Sequence, residues 1–385
     1  MKFDGLASTN FTIAKYLAKN NEVYYIENPQ TLKTYFKLKK NSKEYIARKS
    51  GLGFFSNPLL PQKIDGVNIV ISKPVLPASV LPEGFLYQKL LHINEHIIAN
   101  TIKKVIKSQN IKEYIFINAY NFYYPCVANK LNPSLKIYYC VDPIVGAYDK
   151  RHGIAGEKKL VEESDIVICT SKALYLEKKQ QNKNTYFVPN AADIIKKHPA
   201  STLKHPTLAN LNGTIIGYIG AIERRIDYKL LKTVAAENPE FQFVFVGPTY
   251  LEHIPHWFFE QQNIHHIPPV PYSEVGTIIY SFDICLIPFK KDEISNTIFP
   301  LKLFEYLGLG KPVVVTDFNE DLKEFTDNTV HFVNDTTSFN QALHNILQSD
   351  NEVLQNKRIA IAKKNTWEER VKEITRIINL YLPQK

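Results

Sequence analysis

Residues 296–317 read NTIFPLKLFEYLGLGKPVVVTD: a proline-led helix, a glycine turn and a valine-rich strand. Pro300 suits the first helical position, where the N–H it lacks would have no partner. Gly310 is placed to end the helix, and the strand that follows is apolar on both faces. Helix leading into a fully apolar strand is the pattern of a parallel sheet covered on both sides. Leu301, Phe304 and Gly308 share the face expected to pack on that sheet, while Lys302 and Glu305 share another. The lysine is the anomaly, because a helix start carries partial positive charge. Lys before Glu is also the weaker orientation of a surface pair, worth at most about 0.5 kcal/mol. Free amides at a helix start, with a lysine beside them, suit a diphosphate. A glutamate one turn deeper is placed to accept hydrogen bonds from both hydroxyls of a ribose.

The same alternation repeats outward along the chain. Short β-branched and aromatic runs stand at 22–27, 67–72, 114–118, 136–141, 165–170 and 185–189. They recur at 214–220, 241–247, 263–267, 283–288, 312–315 and 329–333, with helical patterns such as YKLLKTVAAEN and SEVGTIIYS between them. The expectation is an α/β protein with two six-stranded, doubly wound sheets. A chain of 385 residues exceeds one ordinary core. The polar stretch 196–213, with Pro199 and Pro206, reads as a linker between residues 1–195 and 214–365. Residues 366–385 read as a terminal helix, with Thr366 and Glu369 spaced as a capping box before Val371, Ile374, Ile378 and Tyr381. The start departs from the pattern. FDGLASTNFTIAKYLAKN passes almost at once into helix, so the first strand is displaced in the sheet order or the chain begins one strand late.

Composition narrows the class. Residues 1–195 hold 27 Lys/Arg against 16 Asp/Glu, and residues 196–385 hold 20 against 22, so the whole basic excess lies in the first half. Seven Lys/Arg face one glutamate in TLKTYFKLKKNSKEYIARKS (31–50). Such asymmetry fits an anionic partner (a membrane surface, a phosphorylated lipid or a nucleic acid), and it equally fits a solvated lysine-rich loop. Cys126, Cys140, Cys169 and Cys285 lack CxxC spacing and read as reduced core residues of a cytoplasmic protein. The N-terminus lacks a signal-peptide core, and no apolar run approaches the ~20 residues of a membrane helix. HINEH (92–96) has a zinc spacing without an evident third ligand, and surface or half-buried histidines are the stronger reading. GLGK (308–311) leads from helix to strand, the reverse of a phosphate-binding P-loop. No GxGxxG follows a strand, which speaks against a nicotinamide enzyme, and no Asp-x-Asp is present to chelate a metal–diphosphate.

PLKLFEYLGLGKPVVVTD (300–317) resembles the donor-binding signature of GT-B fold glycosyltransferases of the group 1 type. TIIGYIGAIERRIDYKLLKTVAAENPEFQFVFVGP is similar to the first strand–helix–strand of that family's C-terminal domain. NIHHIPPVPYSEVGTIIYSFDICLIPF resembles the region before the signature, and DIVICTSKALYLEKKQQNKNTYFVPNAADI the end of the N-terminal domain. The resemblance covers residues 136–317 and looks closest to bacterial enzymes of exopolysaccharide, capsule or teichuronic-acid-like polymers.

The resemblance implies two Rossmann-like domains facing a central cleft, an N-terminal acceptor domain and a C-terminal donor domain. It implies donor contacts at Gly220, Ala221, Arg225, Leu301, Lys302 and Glu305, with Glu305 on the ribose. Arg224 is the alternative to Arg225, and Asp142 matches an acceptor-side base while also being a turn former before Pro143. Glu157 and Asn190 match frequent family positions, and fit structural roles at least as well. Many retaining relatives carry a second glutamate eight residues before the ribose-binding one, where this chain has Thr297. The implied activity is a metal-independent, hexosyltransferase-type transfer from a nucleotide-diphosphate sugar to a glycan or lipid-linked acceptor at the inner membrane face, with no cofactor and no nucleic acid. Two other readings are a nucleotide-sugar 2-epimerase and a nucleic-acid-binding protein using Tyr35, Phe36 and Tyr45.

Overall fold

The structure, a computed structural model, describes residues 9–37, 58, 63–193 and 204–382. Most of the basic run 31–50, including Tyr45, and residues 196–203 of the expected linker lie outside them. The chain divides into two compact units, residues 1–188 with 371–385 and residues 189–370. The terminal helix Trp367–Asn379 therefore spans a unit boundary, where the sequence reads it as a separate element.

Among the described residues, twelve strands form at the expected places: β1 Tyr24–Ile26, β2 Asn68–Val70, β3 Ile115–Ala119, β4 Leu135–Cys140, β5 Ile166–Cys169, β6 Thr185–Phe187, β7 Ile215–Ile219, β8 Gln242–Val246, β9 Ile264–Ile267, β10 Ile284–Ile287, β11 Val313–Thr316 and β12 His331–Val333. All named pairings are parallel. β5, β10 and β11 are buried at every residue, as strands covered on both faces must be.

The first unit departs from expectation. Among the described residues its strands form a four-stranded sheet β3-β4-β5-β6 and a separate β1-β2 pair, not one six-stranded sheet. β1 is three residues long and only half-buried, so it lacks the apolar faces of a central strand. Side-chain amides make the connection that a ladder would have made. Asn121 Nδ2 donates to Asn28 Oδ1 (3.0 Å), and Asn10 Nδ2 donates to the Ala119 carbonyl (3.1 Å). Asn10 sits on the helix Thr9–Leu17, which precedes β1 and accounts for the helical start of the sequence.

The second unit is doubly wound, in the order β12-β11-β10-β7-β8-β9. The chain enters at β7, winds outward to β9, then returns to β10 beside β7 and winds the other way. Its strand order reverses between β7 and β10, the switch point where open α/β sheets bind ligands beyond the strands' carboxyl ends. There the ladder itself divides. β7 pairs with β10 only at Ile216 and Gly217, yet it stays paired with β8 as far as Ile219 opposite Val246.

Helix caps read from the sequence hold in part. The Thr366 hydroxyl accepts from the Glu369 N–H (3.3 Å), and Ile374 and Ile378 are buried as expected, joined by Ile377. Tyr381 bonds its hydroxyl to that of Tyr186 (2.8 Å).

Gly247, after β8, has φ +142°, and a Cβ there would sit 2.2 Å from the Gly220 carbonyl oxygen. Backbone cannot yield at that distance, so only glycine lets the exits of β7 and β8 run side by side. Gly247→Ala should lower unfolding free energy by about 2–4 kcal/mol in a urea titration. Gly308→Ala, whose Cβ would meet Ala362 at an ordinary 3.7 Å, should stay within about 0.5 kcal/mol of wild type.

Candidate active site

The division between β7 and β10 leaves the Ile219 N–H without a ladder partner on that side. The Tyr306 hydroxyl accepts it at 3.0 Å. Tyr306 is fully buried in the helix Lys302–Gly308, so this bond ties the helix to the last residue of β7. Leu303, Phe304 and Leu307 are buried beside it. The packed face thus differs from the Leu301–Phe304–Gly308 face expected from the sequence. Leu301 is the half-buried N-cap, its carbonyl accepting from Phe304 (3.1 Å) and Glu305 (3.4 Å), and Gly308 lies against Ala362 of the helix Glu352–Lys364. The helix begins at Lys302, with Leu301 (φ −55°, ψ −40°) at its N-cap already in helical geometry. Gly310 does end the helix, with φ +73° and its N–H on the Leu307 carbonyl (2.9 Å), and GLGKP is a turn into β11.

Anchored this way, the helix delivers Lys302 to the end of β7. Its Nζ donates to the Tyr218 hydroxyl at 2.7 Å and lies 3.9 Å from that ring's centroid and 5.1 Å from that of Phe289. The Tyr218 hydroxyl donates onward to the Ala221 carbonyl (2.9 Å). Gly220 lies directly beneath the ammonium, since a Cβ there would come within 2.6 Å of Nζ. One relay therefore joins Lys302, Tyr218, Gly220 and Ala221. Lys302 makes its bond with Tyr218 and not with Glu305, so the surface-pair reading of Lys302 and Glu305 fails.

The loop after β7 adds a second cation. It is fastened to the exit of β10, with Lys290 N–H on the Arg225 carbonyl (2.7 Å) and Asp227 N–H on the Pro288 carbonyl (2.8 Å). Arg225 pairs with Glu223 and sits 5.4 Å from the Phe289 ring, whereas Arg224 is exposed. Of the two arginines, Arg225 is the one turned to Lys302. Burial, reinforced by the Arg225 charge and opposed by Glu305 and Glu223, pulls the Lys302 ammonium down to about 7. An apolar, cation-facing setting is costly for that charge until an anion arrives.

Glu305 is half-buried. Burial pushes its carboxyl up, Lys302 pulls it back, and Asp193 adds to the rise. Tyr272 is largely exposed, and its phenol feels the charges of Glu305 and Asp193, which puts Tyr272 and Asp193 on the same side as Glu305. Asn190 donates to the Phe299 carbonyl (3.1 Å) just before the Lys302 helix, while its buried Oδ1 has no hydrogen-bond partner.

A family model described as glycosyl transferase-like matches residues 224–376. The putative teichuronic acid biosynthesis glycosyltransferase TuaH of Bacillus subtilis is 26% identical over 234 residues, which is 55% of this chain and 56% of that relative. The chain thus matches about half the length of that relative. The fold agrees. Sucrose-phosphate synthase from Thermosynechococcus elongatus superposes with a TM-score of 0.68 at 14% identity, over 97% of this chain and 93% of that one. Anabaena HepE, in complex with UDP, superposes at 0.61 and 13% identity, over 82% and 87%. The α/β fold with parallel sheets has GT-B glycosyltransferases as its structural neighbours.

Within this glycosyltransferase-like frame, the structure brings Gly220, Ala221, Arg225, Lys302 and Glu305 together at one end of one sheet. Asp142 belongs to the first unit, where it is exposed just past the carboxyl end of β4, next to Pro143, whose carbonyl accepts from Tyr120 (2.9 Å). Glu157 proves structural: Lys178 (2.6 Å) and the Tyr138 hydroxyl (2.7 Å) both donate to it in the buried interior. Thr297 turns its hydroxyl onto the Ile294 carbonyl (2.7 Å). His92 and His96 are exposed, and among the described residues no three His, Cys, Asp or Glu side chains gather as metal ligands.

Tyr218, Glu223, Tyr306, Asp193 and Tyr272 escaped the sequence reading. Tyr218 had one signal, a hydroxyl in the otherwise apolar strand TIIGYIG, and Tyr306 had none beyond its place next to Glu305. Tyr306→Phe strands the half-buried Ile219 N–H and should lower stability by about 1–2 kcal/mol in chemical denaturation. Tyr218→Phe strands the Lys302 ammonium and the Ala221 carbonyl, and should cost about 1–2 kcal/mol of stability and weaken nucleoside diphosphate binding, measured by calorimetry, about three- to tenfold.

Proposed function

We propose that the protein transfers a sugar from a nucleoside-diphosphate sugar to an acceptor hydroxyl. The observation that carries this is the ammonium of Lys302, held over Gly220 at the switch point with Arg225 and Glu305 on either side of it in charge. As the bond from sugar C1 to the diphosphate oxygen breaks, its electron pair leaves with the diphosphate. Lys302 and Arg225 would stabilise that growing charge without reorganising, the role of a preorganised electrostatic site. Glu305 would accept hydrogen bonds from the ribose hydroxyls. An acceptor oxygen attacks C1, and we assign its proton to Asp142. In this reading the two cations do the work a metal ion does elsewhere, and no cofactor takes part.

Likeness to TuaH supports a lipid-linked or polysaccharide acceptor in cell-surface glycan synthesis. The basic excess of residues 1–195 supports work at an anionic membrane surface on the cytoplasmic side. Among the described residues, no helix is long and apolar enough to cross a membrane. No observation favours the 2-epimerase or nucleic-acid readings.

Nucleotide-sugar donors screened by thermal unfolding identify the cognate donor as the one that stabilises the chain at concentrations far above its Kd. With that donor, Lys302→Ala should lower kcat/KM by about 10²–10³ and Glu305→Ala by about 10–10². Turnover unchanged in both variants would overturn the assignment.

A further inference from the structure

The long helix Phe85–Ser108 buries Ile98, Ala99, Ile102 and Val105 and turns a different kind of face to solvent. On that outer face Phe85 is 83% exposed, Leu86 57% and Ile93 37%. Lys89, Lys103, Lys104 and Lys107 are exposed as well. With 3.6 residues per turn, all seven fall within an arc of about 120° along the ~36 Å helix. The stripe contains no acid. The helix's one carboxylate, Glu95, is buried and holds the Cys126 N–H (2.7 Å) and Lys130 (3.4 Å).

The apolar end is held in place by its surroundings. His152 is buried against the segment leading into the helix, with Nε2 on the Leu81 carbonyl (2.9 Å) and Nδ1 on Glu83 (3.0 Å). Its ring stacks on Tyr87 at 3.9 Å. Phe85 and Leu86 thus project from a fixed turn. At the basic end, Lys103 and Lys107 join Lys130, Tyr114 and Asn132 around an open recess of about 350 Å³.

We propose that this stripe docks the first unit on an anionic lipid bilayer. Phe85 and Leu86 enter the boundary between headgroups and acyl chains, and the lysines bind lipid phosphates, with their alkyl stems lying along the apolar surface. The recess offers room for a headgroup. The occupant follows from charge: the stripe carries four lysines and no acid in the half of the chain that holds 27 Lys/Arg against 16 Asp/Glu. The proposal deepens the membrane-surface reading above and rests on it.

The test is cosedimentation of the full chain with phosphatidylcholine vesicles, with and without phosphatidylglycerol. Wild type should sediment with the anionic vesicles and not with phosphatidylcholine alone. Phe85→Ser with Leu86→Ser, and separately the triple change of Lys103, Lys104 and Lys107 to Glu, should each cut binding at least about tenfold. Both sets lie outside the nucleotide site, so unfolding temperature and nucleotide binding should not change. Absence of wild-type binding overturns the membrane-surface reading together with this proposal. Wild-type binding that both variants retain overturns the stripe alone and transfers the role to the basic run 31–50. Equal binding to phosphatidylcholine, or loss of self-association in the variants in place of vesicle binding, also overturns it.

Discussion

The second unit depends on where a strand ladder stops. β7 leaves β10 after Gly217 but keeps β8 to Ile219. That divergence leaves one N–H to be satisfied and opens one space to be filled. Tyr306 satisfies the N–H, and in doing so sets the position of the Lys302–Gly308 helix. The ammonium of Lys302 fills the space, held by Tyr218 from within the strand itself. The cost of holding a cation there is visible in its ammonium being pulled down to about 7. Two tyrosines and two glycines with positive φ therefore hold the Lys302 ammonium at the end of β7. With its midpoint near 7 the ammonium is about half charged at neutral pH, and an anion beside it would favour the charged form.

Much of this was legible in the sequence because its signals are local. Apolar runs alternating with helical patterns located the twelve strands of the described residues, most plainly β5, β10 and β11, since a strand buried on both faces has little choice of composition. Gly310 could be read as the helix end from its residue type, and Lys302 and Glu305 could be singled out from spacing and helix electrostatics, whereas Pro300 stands ahead of the helix that begins at Lys302. The residues that went unseen act over long sequence separations. Tyr218 and Lys302 are 84 positions apart, and Ile219 and Tyr306 are 87. Periodicity does not report which tyrosine hydroxyl completes which backbone group. The resemblance named Arg225 with Arg224 as its alternative, and the loop's attachment to β10, through Lys290 and Asp227, leaves Arg225 facing Lys302.

The first unit shows the opposite failure. Its strands were found, but their assembly into one sheet was expected from counting. β1 is short and half-buried, and asparagine side chains replace the missing ladder. Run length and composition locate a strand, whereas pairing depends on neighbours brought together by the whole chain. Leu301 illustrates the same limit on a smaller scale, since it stands half-buried at the helix start while Leu303, Phe304, Tyr306 and Leu307 carry the packed face.

The central claim is that Lys302 is a cation held ready for a diphosphate. Its most direct test is an NMR pH titration of isotope-labelled lysine side chains, with Lys302 assigned by its loss in Lys302→Met. In the free protein its midpoint should lie near 7. Saturating nucleoside diphosphate should raise it by about two units or more, because the bound anion favours the charged form. A Lys302 signal titrating near 10.5 in the free protein, or one that nucleoside diphosphate leaves unmoved, would contradict the account.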